Sequence, residues 1–238
     1  LTQSDVGSPI TVTASYTDEQ GEAESLTSVA TSPVGNVNDE PSGSVTISGT
    51  ATEDETLTAE TGTIADEDGL GSFSYQWNRA GSVISGVTSA SYTLTQSDVG
   101  SPITVTASYT DSLNTAESVS SAATDAVGNV NDEPGGSVTI SGTATEDQTL
   151  TAVTGTIVDE DGLGSFSYQW SRAGSAISGA TSASYTLTQA DVGSAITVTA
   201  SYTDGQGAGE SVTSAATGSV ANENDAPSGS VTISGAAT

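Results

Sequence analysis

Residues 94–111 read LTQSDVGSPITVTASYTD, residues 1–18 read the same letters, and at 187–204 the stretch returns as LTQADVGSAITVTASYTD. Each copy lies 93 residues after the one before. This period constrains the fold more than any other feature, because a self-similar unit must fold the same way each time it occurs. Ninety-three residues is too long for one turn of a solenoid. It is the size of an independent domain. Segments 42–134 and 135–227 differ at about 20 of 93 positions, and Phe73/Phe166, Trp77/Trp170 and Arg79/Arg172 fall at equivalent places. Identity this high implies recent duplication, and selection for length rather than for a separate task per unit. The expected organisation is 1–41 as the last two strands of a preceding repeat, 42–134 and 135–227 as full repeats, and 228–238 as the first strand of a following one. The chain reads as a window cut from something longer. Its end fragments are expected to match 94–134 and 42–52 in conformation, completed by the same chain or by neighbours.

Within a repeat the apolar residues alternate with period two, not 3.6. Expected strands are SVTIS at 44–48, TLTA at 56–59, SFSYQW at 72–77, a short one near Val83–Ile84, SYTL ending at Leu94, ITVTASY at 103–109, and a last one over roughly 115–124. The pattern places Phe73, Tyr75 and Trp77 on one face, and Ile103, Val105, Ala107 and Tyr109 on another. Thr, Val, Ile and aromatic residues suit strands, and Gly/Asp turns separate them. The fold class predicted is all-β: tandem seven-stranded immunoglobulin-like β-sandwiches in an extended rod. Trp77 and Trp170 read as core; a sugar-stacking platform is the sharper alternative.

Between repeats the chain carries NVNDEP at Asn36 and again at Asn129, and NENDAP at Asn222. These Asn/Asp clusters sit in a chain with 30 acidic residues, two basic ones, no His and no Cys, for a net charge of −28. The anomaly is the missing Lys and Arg: charged residues make up 13%, about half the usual share. Most carboxylates therefore face water, repel one another, or bind a cation that is not protein. Nucleic acid and anionic membranes are poor partners, since binding them rests on Lys and Arg. Disulfides, thiolate zinc sites and a thiol nucleophile are ruled out. No apolar run approaches the length of a membrane helix, so no membrane insertion is expected.

The stretch SFSYQWSRAGSAISGATSASYTLTQADVGSAITVTASYTDGQG, from Ser165 to Gly207, resembles the bacterial immunoglobulin-like repeats of giant RTX adhesins. That resemblance implies tandem arrays acting as calcium-stiffened extenders on a bacterial cell surface. The linker NVNDEP is also similar to the Asp-x-Asn-Asp-Asn-Ala-Pro linker of cadherins, although Asn36 stands where that pattern begins with Asp and Glu40 occupies its fifth place. The cadherin likeness implies ligands from the bottom of one domain, from the linker, and from a paired Asp-x-Asp at the top of the next; here that pair is Asp66/Asp68 and Asp159/Asp161.

The placement of acids can be reasoned independently. With seven antiparallel strands, the loops after strands two and six share the leading end, beside the incoming linker. Those after strands one and five share the trailing end. Asp66, Asp68 and Asp111 then gather at the leading end of the first full repeat, and Asp159, Asp161 and Asp204 at that of the second. Glu53, Asp54 and Asp98 gather at the trailing end of the first, with Glu146, Asp147 and Asp191 as their counterparts and Asp5 as the equivalent in the opening fragment. The linkers add Asn36, Asn38 and Asp39; Asn129, Asn131 and Asp132; and Asn222, Asn224 and Asp225. Oxygen donors without nitrogen or sulfur suit Ca2+. Unneutralised, two carboxylates at 4 Å repel by about 1 kcal/mol even in bulk-like dielectric. Read separately, DEDG is an ordinary turn and NVND an ordinary polar linker.

Three function classes follow. The first is a structural extender, with calcium ions and neighbouring repeats as partners and an unidentified distal adhesion target. The second is a binding module that recognises a glycan or surface protein through the repeats themselves. The third, an enzyme, is not expected: His, Cys and Lys are lacking, no Ser stands in a nucleophile-elbow context, and the acid pairs lie in polar loops.

Overall fold

A computed structural model describes residues 1–235. The chain divides into two compact units, Leu1–Val130 and Asn131–Thr238. Both are built from antiparallel β-structure, and each holds one complete sandwich.

In the first unit, β1 (Thr13–Thr17) and β2 (Ala23–Thr27) form a hairpin. The complete repeat follows as β3 (Thr46–Ser48), β4 (Thr56–Glu60), β5 (Ser74–Arg79), β6 (Ser82–Val83), β7 (Ser91–Thr93), β8 (Ile103–Thr110) and β9 (Ala116–Ser120). These seven strands make a three-stranded sheet in the order β3-β4-β7 and a four-stranded sheet in the order β6-β5-β8-β9. The second unit repeats this with β10 (Thr139–Ser141), β11 (Thr149–Val153), β12 (Ser167–Arg172), β13 (Ser175–Ala176), β14 (Ser184–Thr186), β15 (Ile196–Thr203) and β16 (Gly209–Thr213), in orders β10-β11-β14 and β13-β12-β15-β16. The expected seven-stranded immunoglobulin-like sandwich is present in both.

The core is what the period-two pattern dictates. Along β8, Ile103, Val105, Ala107 and Tyr109 are buried, while the residues between them are only partly so. They pack against Leu57 and Ala59 of the facing sheet, with Trp77 at the centre. Trp77 is fully buried, and its indole N–H donates to Ser89 O at 2.9 Å. Trp170 does the same to Ser182 O at 2.9 Å. A buried indole with its polar atom satisfied is a core residue. Phe73 meets Tyr109 edge-on, with ring centroids 5.2 Å apart.

The last strand is shorter than the expected 115–124. Beyond Ser120 the ladder to β8 continues only intermittently: Ser121 N donates to Val105 O, Thr124 N to Ile103 O and Val127 N to Ser101 O. Three residues on one side span two on the other, which is repeated bulging. The displaced acceptors are replaced by hydroxyls. Ser121 Oγ accepts from Val105 N, and Thr124 Oγ1 from Ile103 N, each at 3.0 Å. Ser214 and Thr217 repeat this in the second unit, and Ser28 and Thr31 in the opening hairpin.

Glycine is required where the linker enters the sandwich. Gly43 has φ +89°, and a Cβ there would meet Thr63 O at 2.1 Å; Gly136 has φ +86° and would meet Thr156 O at 2.0 Å. No side chain fits in either place.

The opening hairpin keeps the register of its full-repeat equivalent: Tyr16 pairs with Glu24 as Tyr109 pairs with Glu117. With no facing sheet among the described residues, Tyr16 is 65% exposed against 5% for Tyr109. The strand expected in 228–238 does not form over 228–235; residues 236–238 of that expectation lie outside the described residues. Its equivalent, β3, is a strand paired with β4.

Candidate metal centre

At the leading end of the first complete repeat, the loop after β4 meets the loop after β8. Ser112 N donates to Asp68 O at 3.2 Å and ties them. The first loop is a tight Asp turn: Asp66 Oδ1 accepts from Asp68 N at 2.9 Å, and Gly69 N closes on Asp66 O at 3.1 Å. The loops thus bring Asp66, Asp68 and Asp111 together as the sequence predicts, and the second unit does the same with Asp159, Asp161 and Asp204.

The linker is held by these acids. Asp39 N donates to Asp68 Oδ2 at 2.9 Å, and Asn38 Nδ2 donates to Glu117 Oε1 at 2.9 Å. In the second unit Asp132 N donates to Asp161 Oδ2 and Asn131 Nδ2 to Glu210 Oε1, also at 2.9 Å each. Asp68 Oδ1 further accepts from Gln3 Nε2 of the opening segment at 2.6 Å.

Glu117 and Glu210 were not among the predicted ligands. Both are buried, at 7% and 8% exposure. A strand Glu reads from sequence as a solvent-facing residue. The signal available was that Glu117 and Glu210 agree directly beside the most divergent segment of the repeat, SLNTA at 112–116 against GQGAG at 205–209.

Asp111 is 5% exposed. Its Oδ1 accepts the N–H groups of Leu113 and Thr115, each at 2.8 Å. Its Oδ2 is buried without a hydrogen-bond partner, and so is Asp204 Oδ2 in the second unit. Asp66 Oδ2 accepts the hydroxyl of Tyr109, and Asp159 Oδ2 that of Tyr202. Burial, then the hydrogen bond and charge of Asp66, then the charges of Glu117 and Asp111, hold the Tyr109 hydroxyl protonated far above the usual phenol range.

Neither arginine serves this end. Arg79 Nε lies 2.7 Å from Asp98 Oδ1, and Arg172 Nε lies 2.6 Å from Asp191 Oδ1. Asp98 and Asp191, expected as cation ligands, are thus each engaged by an arginine of their own repeat. Asp98 is fully buried, and its Oδ2 accepts from Tyr92 OH at 2.7 Å, Thr95 N at 2.9 Å and Thr95 Oγ1 at 3.0 Å. It caps the 3-10 turn Gln96–Asp98, and Asp191 caps Gln189–Asp191. Burial opposes ionisation of Asp98, but Tyr92, Arg79 and Thr95 together outweigh it, so its carboxyl sits below the ordinary aspartate value. Asp5, also predicted as a ligand, caps the turn Gln3–Asp5 through Thr2 N at 2.8 Å. Asp54 and Asp147 are exposed turn residues at φ 63° and 65°, a conformation Asp tolerates.

The remaining trailing-end acids turn to the outgoing linker of their own unit. Glu53 Oε2 accepts from Val130 N, and Glu146 Oε2 from Glu223 N, each at 3.3 Å. Asn129 Oδ1 is buried without a hydrogen-bond partner. Asn222 accepts from Gln189 Nε2 at 3.3 Å and donates to Glu223 O at 2.8 Å. Asn36, Asn224 and Asp225 are exposed.

The leading end therefore holds four carboxylates, three of them buried, without an Arg or Lys partner. A buried carboxylate oxygen with no partner is costly unless something satisfies it. An all-oxygen donor set fits a hard divalent cation, and Ca2+ better than Mg2+ because it accepts irregular geometry.

No protein-family model matches the sequence, and no curated protein does. The fold is similar to several solved structures. One is the three N-terminal domains of the Highly Immunogenic Outer Capsid protein of bacteriophage RB49, at 21% identity over 72% of this chain and 58% of that one, TM-score 0.28. A second is a Ca2+-stabilized adhesin with which an Antarctic bacterium binds ice, at 11% identity over 90% of this chain and 56% of that one, TM-score 0.35. A third is a tetra-tandem repeat from the extending region of a large adhesion protein, at 22% identity over 90% of this chain and 57% of that one, TM-score 0.28. The chain spans little more than half the length of each.

Proposed function

We propose that this chain is part of a structural extender in a large bacterial surface adhesin, with calcium stiffening the joints between its repeats so that a distal binding domain is held away from the cell. The observation that carries this reading is the linker. In both complete repeats an Asn side chain and the following backbone N–H are fastened to buried carboxylates at the leading end, at the same 2.9 Å distances. Those carboxylates have no arginine or lysine to neutralise them. Asp39, Asp66, Asp68 and Asp111, with Asp132, Asp159, Asp161 and Asp204 in the second repeat, would hold the ion. Bound there, calcium supplies charge neutralisation and cross-linking, and no reaction. Calcium sites of extracellular modules work at about 10⁻⁴–10⁻³ M, which suits the outside of a cell. No helix among the described residues is long and apolar enough to cross a membrane.

Small-angle scattering on the whole chain tests this. Calcium is expected to lengthen and narrow the particle, and chelation to reverse it. Asp132→Ala is expected to weaken calcium binding while the melting of the repeats without calcium stays unchanged. A maximum dimension that ignores chelation sinks the proposal.

A further inference from the structure

We propose that each complete repeat is a load-bearing unit, in which the entering and leaving segments of the chain are paired in parallel so that a pull on the ends is carried by their hydrogen bonds in shear. The proposal rests on the extender reading above, since an extender transmits any pull on its distal end, but it does not require calcium.

The clamp is two residues long on the leaving side. Beyond β9 the chain reaches Val127 and Gly128, and all four of their backbone polar groups are engaged. Gly128 N donates to Ala51 O, and Glu53 N donates to Gly128 O, each at 2.9 Å. On the other side Gly100 N donates to Val127 O at 2.8 Å, and Val127 N to Ser101 O at 3.0 Å. The second repeat builds the same arrangement: Ala221 N to Ala144 O, Glu146 N to Ala221 O, Gly193 N to Val220 O and Val220 N to Ser194 O, all at 2.9 Å. The side chains of Val127 and Val220 are buried in their cores, which anchors the leaving segment as well.

Direction makes this a clamp. The ladders of both sandwiches are antiparallel. Among the described residues, parallel pairing is confined to the leaving segments: Thr52 with Gly128, Val99 with Val127, Thr145 with Ala221, Val192 with Val220, and Val6 with Val34 in the opening fragment. A pull on the ends draws the entering segment backward along its own length and the leaving segment forward. Two parallel segments pulled in this way slide past each other, and their bonds are loaded together. Pulled instead at neighbouring ends, the same bonds open one at a time. Forced unfolding follows the rate of crossing that barrier rather than the overall stability.

The entering segment is placed there by a change of sheet. β3 pairs with β4 in the three-stranded sheet, yet three residues past its end Ala51 bonds to the continuation of β9. The change occurs at Gly49, φ +113°, where a Cβ would meet Thr56 O at 2.6 Å; Gly142, φ +116°, repeats it with Thr149 O at 2.7 Å. Only glycine turns the chain so close to that carbonyl. The entering segment is thereby fastened to both sheets.

The test is single-molecule pulling on the full chain in chelator. The chain has no Cys, so an introduced pair gives unique handles. Thr50→Cys/Val130→Cys pulls the entering segment from before the clamp and loads it in shear. Glu55→Cys/Val130→Cys pulls it from beyond the clamp and peels the same bonds. All three positions are exposed. The shear pair should unfold the first repeat at roughly twice the force of the peel pair, because two hydrogen bonds share the load instead of breaking in turn. Equal forces overturn the proposal. Ala221→Pro, which removes the donor to Ala144 O, reads the second repeat: pulled from the chain ends, it should leave one repeat opening at the wild-type force and one at a reduced force, with near-ultraviolet dichroism unchanged. Wild-type force in both repeats of a folded Ala221→Pro chain also overturns the proposal; should that variant not fold, the two handle pairs decide alone. A force difference in a chain that calcium does not lengthen keeps the clamp and removes the calcium joints. A chain that calcium lengthens but that opens at equal force in both directions keeps the extender reading and removes the clamp.

Discussion

Asn38 and Glu117 lie 79 residues apart in sequence, and their side chains are joined by a 2.9 Å hydrogen bond. Asn131 and Glu210 are joined over the same separation at the same distance. One partner belongs to a linker and the other to the inner face of a sandwich. A polar connector is thereby fixed to a domain by a buried carboxylate.

Replacing the amide should free the linker. In Asn131→Ala, the backbone N–H of Asp132 keeps Asp161 as acceptor but loses its neighbouring tether. Its hydrogen exchange should quicken by about tenfold, the value of one modest hydrogen bond. Core amides such as Val198 should exchange as before. Unchanged exchange at Asp132 would show that the Asn131–Glu210 bond holds nothing in place.

The cap formed by Asp98 should matter to the fold and not to calcium. Asp98→Ala removes the cap of a 3-10 turn and leaves Arg79, whose side chain is 31% exposed, without its partner. A loss of about 2–3 kcal/mol is expected from the cap and the charge-assisted bonds together. The loss should be equal in calcium and in chelator. A penalty that appears only with calcium would restore Asp98 as a ligand.

Acid should spare this network longer than ordinary aspartates. The native carboxyls of Asp98 and Asp191 titrate below the ordinary value, about 3.9 when unfolded. Their stabilisation is thus fully present above that value and fades only as pH falls through the lowered native one. Melting of wild type and of Asp98→Asn, compared between pH 2 and 6 in chelator, should differ by a constant amount above about pH 5 and converge in stronger acid. Convergence already at pH 5 would contradict the lowered value.

Trp77 should be irreplaceable in its own repeat only. It is fully buried with its N–H satisfied, so Trp77→Ala should cost about 3–5 kcal/mol. The second unit has a separate core around Trp170, and denaturant unfolding should split into an early and a late transition. A single shifted transition would mean that the two units unfold together.

Much of this was legible in the sequence by itself. The 93-residue period set the repeat, and strict alternation set the strands, their inner faces and the burial of Trp77. Alternation works because a pleated strand shows opposite faces at successive residues, whatever surrounds it. Loop order along seven antiparallel strands was enough to bring Asp66, Asp68 and Asp111 to one end. What only the tertiary structure decided was which acids are already spoken for. Asp98 and Asp111 are both loop aspartates after a strand, and nothing local tells them apart. Asp98 is matched by an arginine 19 residues earlier and a tyrosine six residues earlier, whereas Asp111 keeps one oxygen unpartnered. Glu117 was hidden for the converse reason: alternation says which side a residue faces, but a carboxylate on an inner face reads as an error until the neighbouring loops are folded around it. Composition limits how many charges can be paired, and only the fold determines which ones are.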